Sequence, residues 1–526
     1  MSLISLEFLG FLLAVLVFYY LFPLKFKWLV LLAGSIFFYV STGPDGLPYL
    51  TAVSVIAYLA ALGMQLLNQK QEQYFRNHEV DKDEKRKQKA RVKKKCKIIC
   101  VGASLVIILL LIWAKVGNLE WFHQLTGYFT GENQNVMNVI VPLGVSYYTF
   151  SAVAYVADVY WKKDKAETNY LKFALFLFYF PKILEGPISR HKNIGQQLCE
   201  GHRFDFKGIS FGAQRMLWGF FKKMVIADRV AIVVNEVFGN WEEYPGSILL
   251  LAAVFGAFQL YCDFSGCMDI VCGASEMVGV KLEDNFSRPF FAKSAAEFWR
   301  RWHITLGTWF KDYIYMPIVV SPRMMKIVQK TGKIFGKRAG KTVMSVIPLF
   351  VVWLLTGLWH GTGLAYVAWG LYWGGLIIVS TVFEPEIKKV SAFLHIRTDS
   401  ASWNFFRMVR TFFIFVVSRI ITIPNNLQNT KYILGKIVTD FQVWKYFDGS
   451  LFDLGLDRAN FLLCFVLLLV LWAVSMLQEK GSVRERIAGW NIVFRWALYY
   501  AAFFAVLIFG IYGLGYDAAS FVYMNY

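Results

Sequence analysis

Val343-Met-Ser-Val-Ile-Pro-Leu-Phe-Val-Val-Trp-Leu-Leu-Thr-Gly-Leu-Trp-His360 holds no acid, lysine or arginine and closes on an imidazole. As a helix rising 1.5 Å per residue, it reaches most of the way across the ~30 Å hydrocarbon core of a bilayer. Apolar blocks with little charge recur at about 3–22, 28–43, 47–67, 98–115, 138–160, 224–239, 247–274, 364–383, 405–423, 459–477 and 491–513. The stretch 170–186 is apolar too, but Pro181 and Pro187 interrupt it, with Lys182 and Glu185 between them. It reads as a re-entrant element, since broken backbone at membrane depth persists only where protein or a cavity covers it. The pattern predicts an all-α, polytopic integral membrane protein with about eleven or twelve transmembrane helices, plus re-entrant and interfacial ones.

Composition agrees. Of 526 residues, 57% are hydrophobic and 18% aromatic, whereas a soluble domain averages roughly 45–50% apolar. The formal charge is +19. In a membrane protein such an excess reads as cytoplasmic loop charge attracted to lipid headgroups, and no nucleic-acid-binding motif accompanies it. The seven cysteines (Cys96, Cys100, Cys199, Cys262, Cys267, Cys272 and Cys464) form no CxxC pair. They are expected to be packed or free thiols, with no disulfide frame and no metal site. Met1–Phe22 lacks a basic leader region and a small-residue cleavage site, so it is expected to be a retained first span.

Loop charge orients the chain. Gln69–Lys97 carries twelve Lys and Arg against five acids and is expected to be a cytoplasmic connector. Lys25, Lys27, Lys162, Lys163, Lys165, the basic stretch Lys281–Lys341 and Gln478–Arg486 then fall inside. The N-terminus, Ser41–Gly46, Trp121–Asn138, Trp241–Gly246 and the C-terminus fall outside. Only 424–457, with several lysines, lands outside against the rule, and it is expected to pack there as an amphipathic segment.

His360 ends its apolar run inside Thr356-Gly-Leu-Trp-His-Gly-Thr-Gly363, whose glycines permit close approach of backbone or ligand. A histidine desolvated at membrane depth stays neutral and can accept a proton, as a general base for a hydroxyl nucleophile requires. The alternative is a helix-end imidazole bonded to a carbonyl. His303 ends a second string, Glu297-Phe-Trp-Arg-Arg-Trp-His303. Taken as one helix over 298–313, Phe298, Trp302, Thr305, Leu306, Trp309 and Tyr313 share one face and Arg300, His303, Gly307 and Lys311 the other, as suits a membrane interface. That polar face suits an anionic ligand, such as coenzyme phosphates or a lipid headgroup, or it snorkels with no ligand at all.

Other polar residues are less decided. Tyr261-Cys-Asp-Phe-Ser-Gly266, with Asp269, sets Asp263 and Ser265 in an apolar run, as a cavity lining or as a structural hydrogen-bonded knot. Gly186-Pro-Ile-Ser-Arg190 ends the broken helix on a cation, as a turn or as a cavity border. Gly208-Ile-Ser-Phe-Gly212 has the letters of a nucleophile elbow, but that elbow needs a strand before it in an α/β sheet, so the match reads as chance. No phosphate-binding glycine loop or HExxH zinc signature occurs.

Together, Pro142-Leu-Gly-Val-Ser-Tyr-Tyr-Thr-Phe150, Gly186–Arg190, Tyr261–Gly266, Asn285-Phe-Ser-Arg-Pro-Phe290, Glu297–His303, Lys311-Asp-Tyr-Ile-Tyr-Met-Pro317 and Thr356–Gly361 resemble the membrane-bound O-acyltransferase family, in particular its bacterial polysaccharide O-acetylation branch. The resemblance implies a single domain over 1–526, with N-terminal spans to 137, a catalytic core over 138–384 and C-terminal spans over 385–526. It implies helices forming a funnel and tunnel, with His360 as the catalytic residue and His303 as the second characteristic position. The donor it implies is a cytoplasmic acyl thioester, acetyl-CoA as substrate, with no permanently bound cofactor. The acceptor is a hydroxyl of an extracytoplasmic polysaccharide, or of an acetyltransferase partner that acts on it. Arg300, Arg301 and Lys311 are then expected at the coenzyme, and Trp302, Trp359, Asp263, Ser265, Gly186, Arg190 and Asp312 along the tunnel. With His303 inside and His360 near the outer end of its span, a tunnel between them lets the acyl group cross while the coenzyme stays behind.

Three alternatives remain at this level. D-alanyl transfer towards teichoic acid uses a carrier-protein thioester in place of acetyl-CoA. A transporter or flippase also has many spans and a broken helix, although no inverted repeat is evident. A scaffold role explains neither histidine. The bacterial cytoplasmic membrane is the expected location.

Overall fold

The computed structural model describes residues 1–117, 119 and 139–512, and these build helices with no strand among them. The expected outer loop over 121–138 and the chain from 513 onward, with the last residue of the expected span 491–513, lie outside the described residues. Among the described residues, eight helices are long and apolar enough to cross a membrane: Leu24–Thr42, Pro44–Asn77, Lys82–Val116, Gly246–Met277, Pro322–His360, Leu364–Val382, Arg458–Glu479 and Ile492–Phe509. Each carries one of the expected apolar blocks. The other four blocks form helices that are shorter or interrupted by charge. Leu6–Leu21 and Val145–Tyr160 have 16 residues and Asp228–Gly239 has 12. Ala401–Thr422 contains Arg407, Arg410 and Arg419.

The chain divides into two units. The first comprises 1–216 and 271–283. In it, Leu47–Asn77, Lys82–Val116 and Val145–Tyr160 pack on one another. Val145–Tyr160 is buried on every side as far as Val159, the mark of a core helix. The expected break is at Tyr179, between Tyr170–Phe178 and Phe180–Ile183. Pro181 has no N–H for the preceding turn, and the Phe180 N–H freed there donates to Ser35 Oγ at 3.0 Å. The Lys-rich stretch 69–97 differs from the connector expected of it. The flanking helices run through it, leaving only residues 78–81 between them. Lys, Arg, Gln and Glu are good helix formers, and Asp81 caps the second helix by accepting from the Asp83 N–H at 3.2 Å.

The second unit comprises 217–270 and the chain from 284 onward. Its main helical pair is Pro322–His360 with Leu364–Val382, joined by Gly361–Gly363. The pair closes tightly because glycines face backbone: a Cβ on Gly357 would stand 2.5 Å from the Tyr366 carbonyl oxygen, and one on Gly370 2.5 Å from that of Trp353. The Gly208–Gly212 letters lie inside the helix Phe206–Phe220, so no nucleophile elbow exists there. All seven cysteines are free thiols.

Candidate active site

The helix expected over 298–313 is broken at its histidine. Ala295–Arg301 and Ile304–Phe310 are separate, and His303 between them adopts a left-handed conformation, φ 46°. Residues 285–287 hold this turn from the side. The Ser287 N–H donates to the Arg301 carbonyl at 2.9 Å and the Ile304 N–H to that of Asn285 at 3.0 Å. Asn285 Oδ1 also accepts from the Thr305 N–H at 3.0 Å and the Thr305 hydroxyl at 2.7 Å. The consequence corrects the polar-face expectation, because His303 is only 1% exposed. Its ring lies edge-on to Phe264 at 4.9 Å and 5.9 Å from Trp359. Burial pushes its imidazole pKa down to about 3, so the ring is neutral at ordinary pH.

His360 is the last residue of Pro322–His360 and is 4% exposed. Its ring lies 4.7 Å from Trp359 and 4.8 Å from Trp369. Trp359 therefore touches both imidazoles, and these are no farther apart than the 5.9 Å and 4.7 Å steps laid end to end. A hydrocarbon core is ~30 Å thick, so the two histidines do not stand at opposite faces as the loop charges suggest. They form one cluster.

A cavity of about 20 Å³ opens at His360, lined by aromatic rings that include Trp299, Trp302, Tyr366 and Trp369, and by Ser418, Arg419 and Thr422. Trp299 meets Trp353, Trp369 and Trp373 at 5.0, 5.5 and 5.2 Å, a wall of indoles behind the histidine. Trp302 is 1% exposed and stacks on Phe298. Arg419, Tyr366 and Asn285 are absent from the sequence-based set of site residues. Arg419 was open to detection, because an arginine within an apolar block is itself an expensive group.

The remaining expected residues divide among several settings. Arg301 is engaged by Glu297 at 2.9 Å and Glu479 at 3.1 Å, while Arg300 and Lys311 are exposed. Asp312 lies half-buried on the wide turn Lys311–Tyr315. Asp263 pairs with Lys223 at 2.7 Å, and Lys223 also meets Asp228 at 2.8 Å. Ser265 accepts from Lys222, which pairs with Asp269 at 2.7 Å. Asp263 and Ser265 thus belong to a buried charge network. Gly186 and Arg190 belong to the first unit. There a Cβ on Gly186 would sit 2.2 Å from the Lys182 Cα, and Arg190 precedes the helix His191–Glu200.

The sequence pattern of the membrane-bound O-acyltransferase family matches residues 162–424, half of the chain. This protein belongs to the membrane-bound O-acyltransferase family. The matched stretch includes both histidines, the Asn285 turn and Arg419. Among curated relatives, the chain is 33% identical over 355 residues to a probable alginate O-acetylase of Pseudomonas syringae pv. tomato, covering 67% of this chain and 61% of that protein. It is 30% identical over 373 residues to the probable alginate O-acetylase of Pseudomonas putida, 70% of each chain. It is 28% identical over 264 residues to the teichoic acid D-alanyltransferase of Bacillus subtilis, 48% of this chain and 62% of that one. The chain thus spans about three fifths of the length of the Pseudomonas syringae protein.

Proposed function

We propose that this family member is an O-acyltransferase of the bacterial cytoplasmic membrane. It moves an acetyl group from acetyl-CoA on the cytoplasmic side to a hydroxyl of an extracytoplasmic polysaccharide, or of an acetyltransferase partner that completes the transfer. The observation that carries this reading is the buried pair His303 and His360 against Trp359, with a cavity at His360. Similarity to alginate O-acetylases supports the acetyl group and the polysaccharide.

In this mechanism His360 takes the proton of the acceptor hydroxyl as its oxygen attacks the thioester carbonyl, a role worth roughly 10²–10⁴-fold. The thioester supplies the driving force. His303, neutral and buried, shapes the pocket through Trp359. Arg300 and Lys311, exposed beside the broken helix, offer cations to the coenzyme phosphates. Within the second unit, Asp312 and the two indoles Trp302 and Trp359 line the route of the acyl group.

Similarity to a teichoic acid D-alanyltransferase favours one second reading, in which the donor is a carrier-protein thioester. Purified protein with radiolabelled acetyl-CoA separates the two. Label transferred or hydrolysed by the native chain, and not by His360→Ala, supports acetyl-CoA as donor. An inactive native chain that turns over a charged carrier protein removes it.

A further inference from the structure

Arg419 is 6% exposed and lines the cavity that opens at His360. Its Nη1 donates to Thr422 Oγ1 at 3.0 Å, one turn along the same helix, which tethers one end of the guanidinium. Its Nε is buried with no hydrogen-bond partner, and no carboxylate pairs with the group among the described residues. Trp299, on the same cavity, has an indole N–H in the same condition. A buried cation without a counter-charge is unfavourable, and buried donors are nearly always satisfied. Both conditions are met if a negative oxygen occupies the cavity during the reaction. The space of about 20 Å³ admits an atom of the size of a water oxygen and is too small for a sugar ring.

We propose that Arg419 is a catalytic residue that receives the oxyanion formed on the thioester carbonyl, with the Trp299 indole N–H as a second donor. The inference rests on the acyltransferase reading. The acceptor oxygen bonds to the carbonyl carbon, its proton passes to His360, and the carbonyl π pair moves onto oxygen facing the guanidinium. Collapse of the adduct restores the carbonyl and breaks the carbon–sulfur bond. The proton then leaves the imidazolium for the departing thiolate, so one ester and one thiol result. Donors that meet charge only as it develops favour the transition state over bound substrate. The signature is therefore a loss in kcat with little change in KM.

The test is steady-state transfer and hydrolysis of radiolabelled acetyl-CoA by purified native protein and by Arg419→Met, Arg419→Lys, Trp299→Phe and Thr422→Val. Removing one such donor lowers kcat about 10²–10³-fold, so Arg419→Met is expected in that range with donor KM within about threefold. Arg419→Lys is expected to recover part of the loss. Thr422→Val, which frees the guanidinium, is expected to lower kcat severalfold at unchanged KM. An Arg419→Met protein with native kcat, or a loss confined to KM, overturns the assignment. If that variant does not fold, native kcat in both Arg419→Lys and Thr422→Val overturns it instead. A native chain that turns over neither acetyl-CoA nor a carrier-protein thioester overturns the acyltransferase reading and this inference together. Full activity in the Arg419 variants of an active enzyme overturns this inference alone.

Discussion

His303 and Trp359 meet with ring centroids 5.9 Å apart and planes inclined by 58°. They come from different parts of the second unit, His303 from a left-handed turn and Trp359 from the penultimate position of Pro322–His360. This contact ties the turn to the residue beside His360, so a change in either is felt at the other. It also explains why a histidine with an arginine string before it is buried. With the backbone reversed at 303, Arg300 is exposed and Arg301 is held in its ion pairs, while the imidazole lies against Phe264 and the indole.

Replacing His360 by Gln keeps the volume at a 4% exposed position and removes the base. Acyl transfer is expected to fall by roughly 10²–10⁴-fold. Elution from a sizing column in detergent should stay native. A variant that retained more than a tenth of native turnover would exclude the general-base role.

The low pKa of His303 makes stability depend on pH. The folded imidazole protonates near 3, the unfolded one near 6.5. Between those values the unfolded chain holds a proton that the folded chain does not, so stability is complete above pH 6.5 and is lost as pH falls towards 3. From pH 6.5 to 5 the loss is about 2 kcal/mol. His303→Gln has no such group. The apparent melting temperature of the native protein is therefore expected to drop more steeply between pH 7 and pH 5 than that of the variant. Parallel slopes would remove His303 as the cause.

Much of this was legible because the bilayer imposes length and composition. Among the described residues, all eight long apolar helices carry blocks visible as apolar runs with little charge, and the break near Pro181 follows from chemistry local to proline. The His303 turn was not legible. Helical periodicity assigns it to a polar face, and only pairing with 285–287, a tertiary contact, reverses it. The Lys-rich stretch looked like a loop by charge, whereas its helix-forming side chains decide the backbone. Loop charge likewise assigns His303 and His360 to different depths, whereas tertiary packing on Trp359 brings them into one cluster.

Gly357 sets the spacing of the helical pair that carries His360. A Cβ there would stand 2.5 Å from the Tyr366 carbonyl oxygen and 3.4 Å from the Gly370 Cα, and neither is a flexible side-chain end. Gly357→Ala must therefore push Leu364–Val382 away, and overpacking of this kind costs about 1–3 kcal/mol. Trp369, on the moving helix, would leave the His360 ring. The expected result is a lower melting temperature together with loss of turnover beyond what the stability change explains. Gly375, where a Cβ meets nothing within 4 Å, is the control, and Gly375→Ala is expected to leave both unchanged. Equal effects at the two positions would show that the close approach at 357 does not matter.

Lys223 supplies a test of the buried network. Its Nζ lies 2.7 Å from Asp263 and 2.8 Å from Asp228, and both its side chain and that of Asp263 are almost wholly buried. Removing the ammonium takes the Lys223 charge away from both carboxylates, and breaking such a buried pair from one side typically costs 3–5 kcal/mol. Lys223→Met is therefore expected to be strongly destabilised, with a much lower melting temperature in detergent. The double variant Lys223→Met/Asp263→Asn removes a negative charge along with the positive one, and is expected to recover part of the loss. The recovery distinguishes a charge network from simple packing, because packing alone predicts that the second substitution adds to the damage. If Asp263 instead serves the acyl route directly, Asp263→Asn alone abolishes turnover at near-native stability. If the network is structural, stability and turnover fall together.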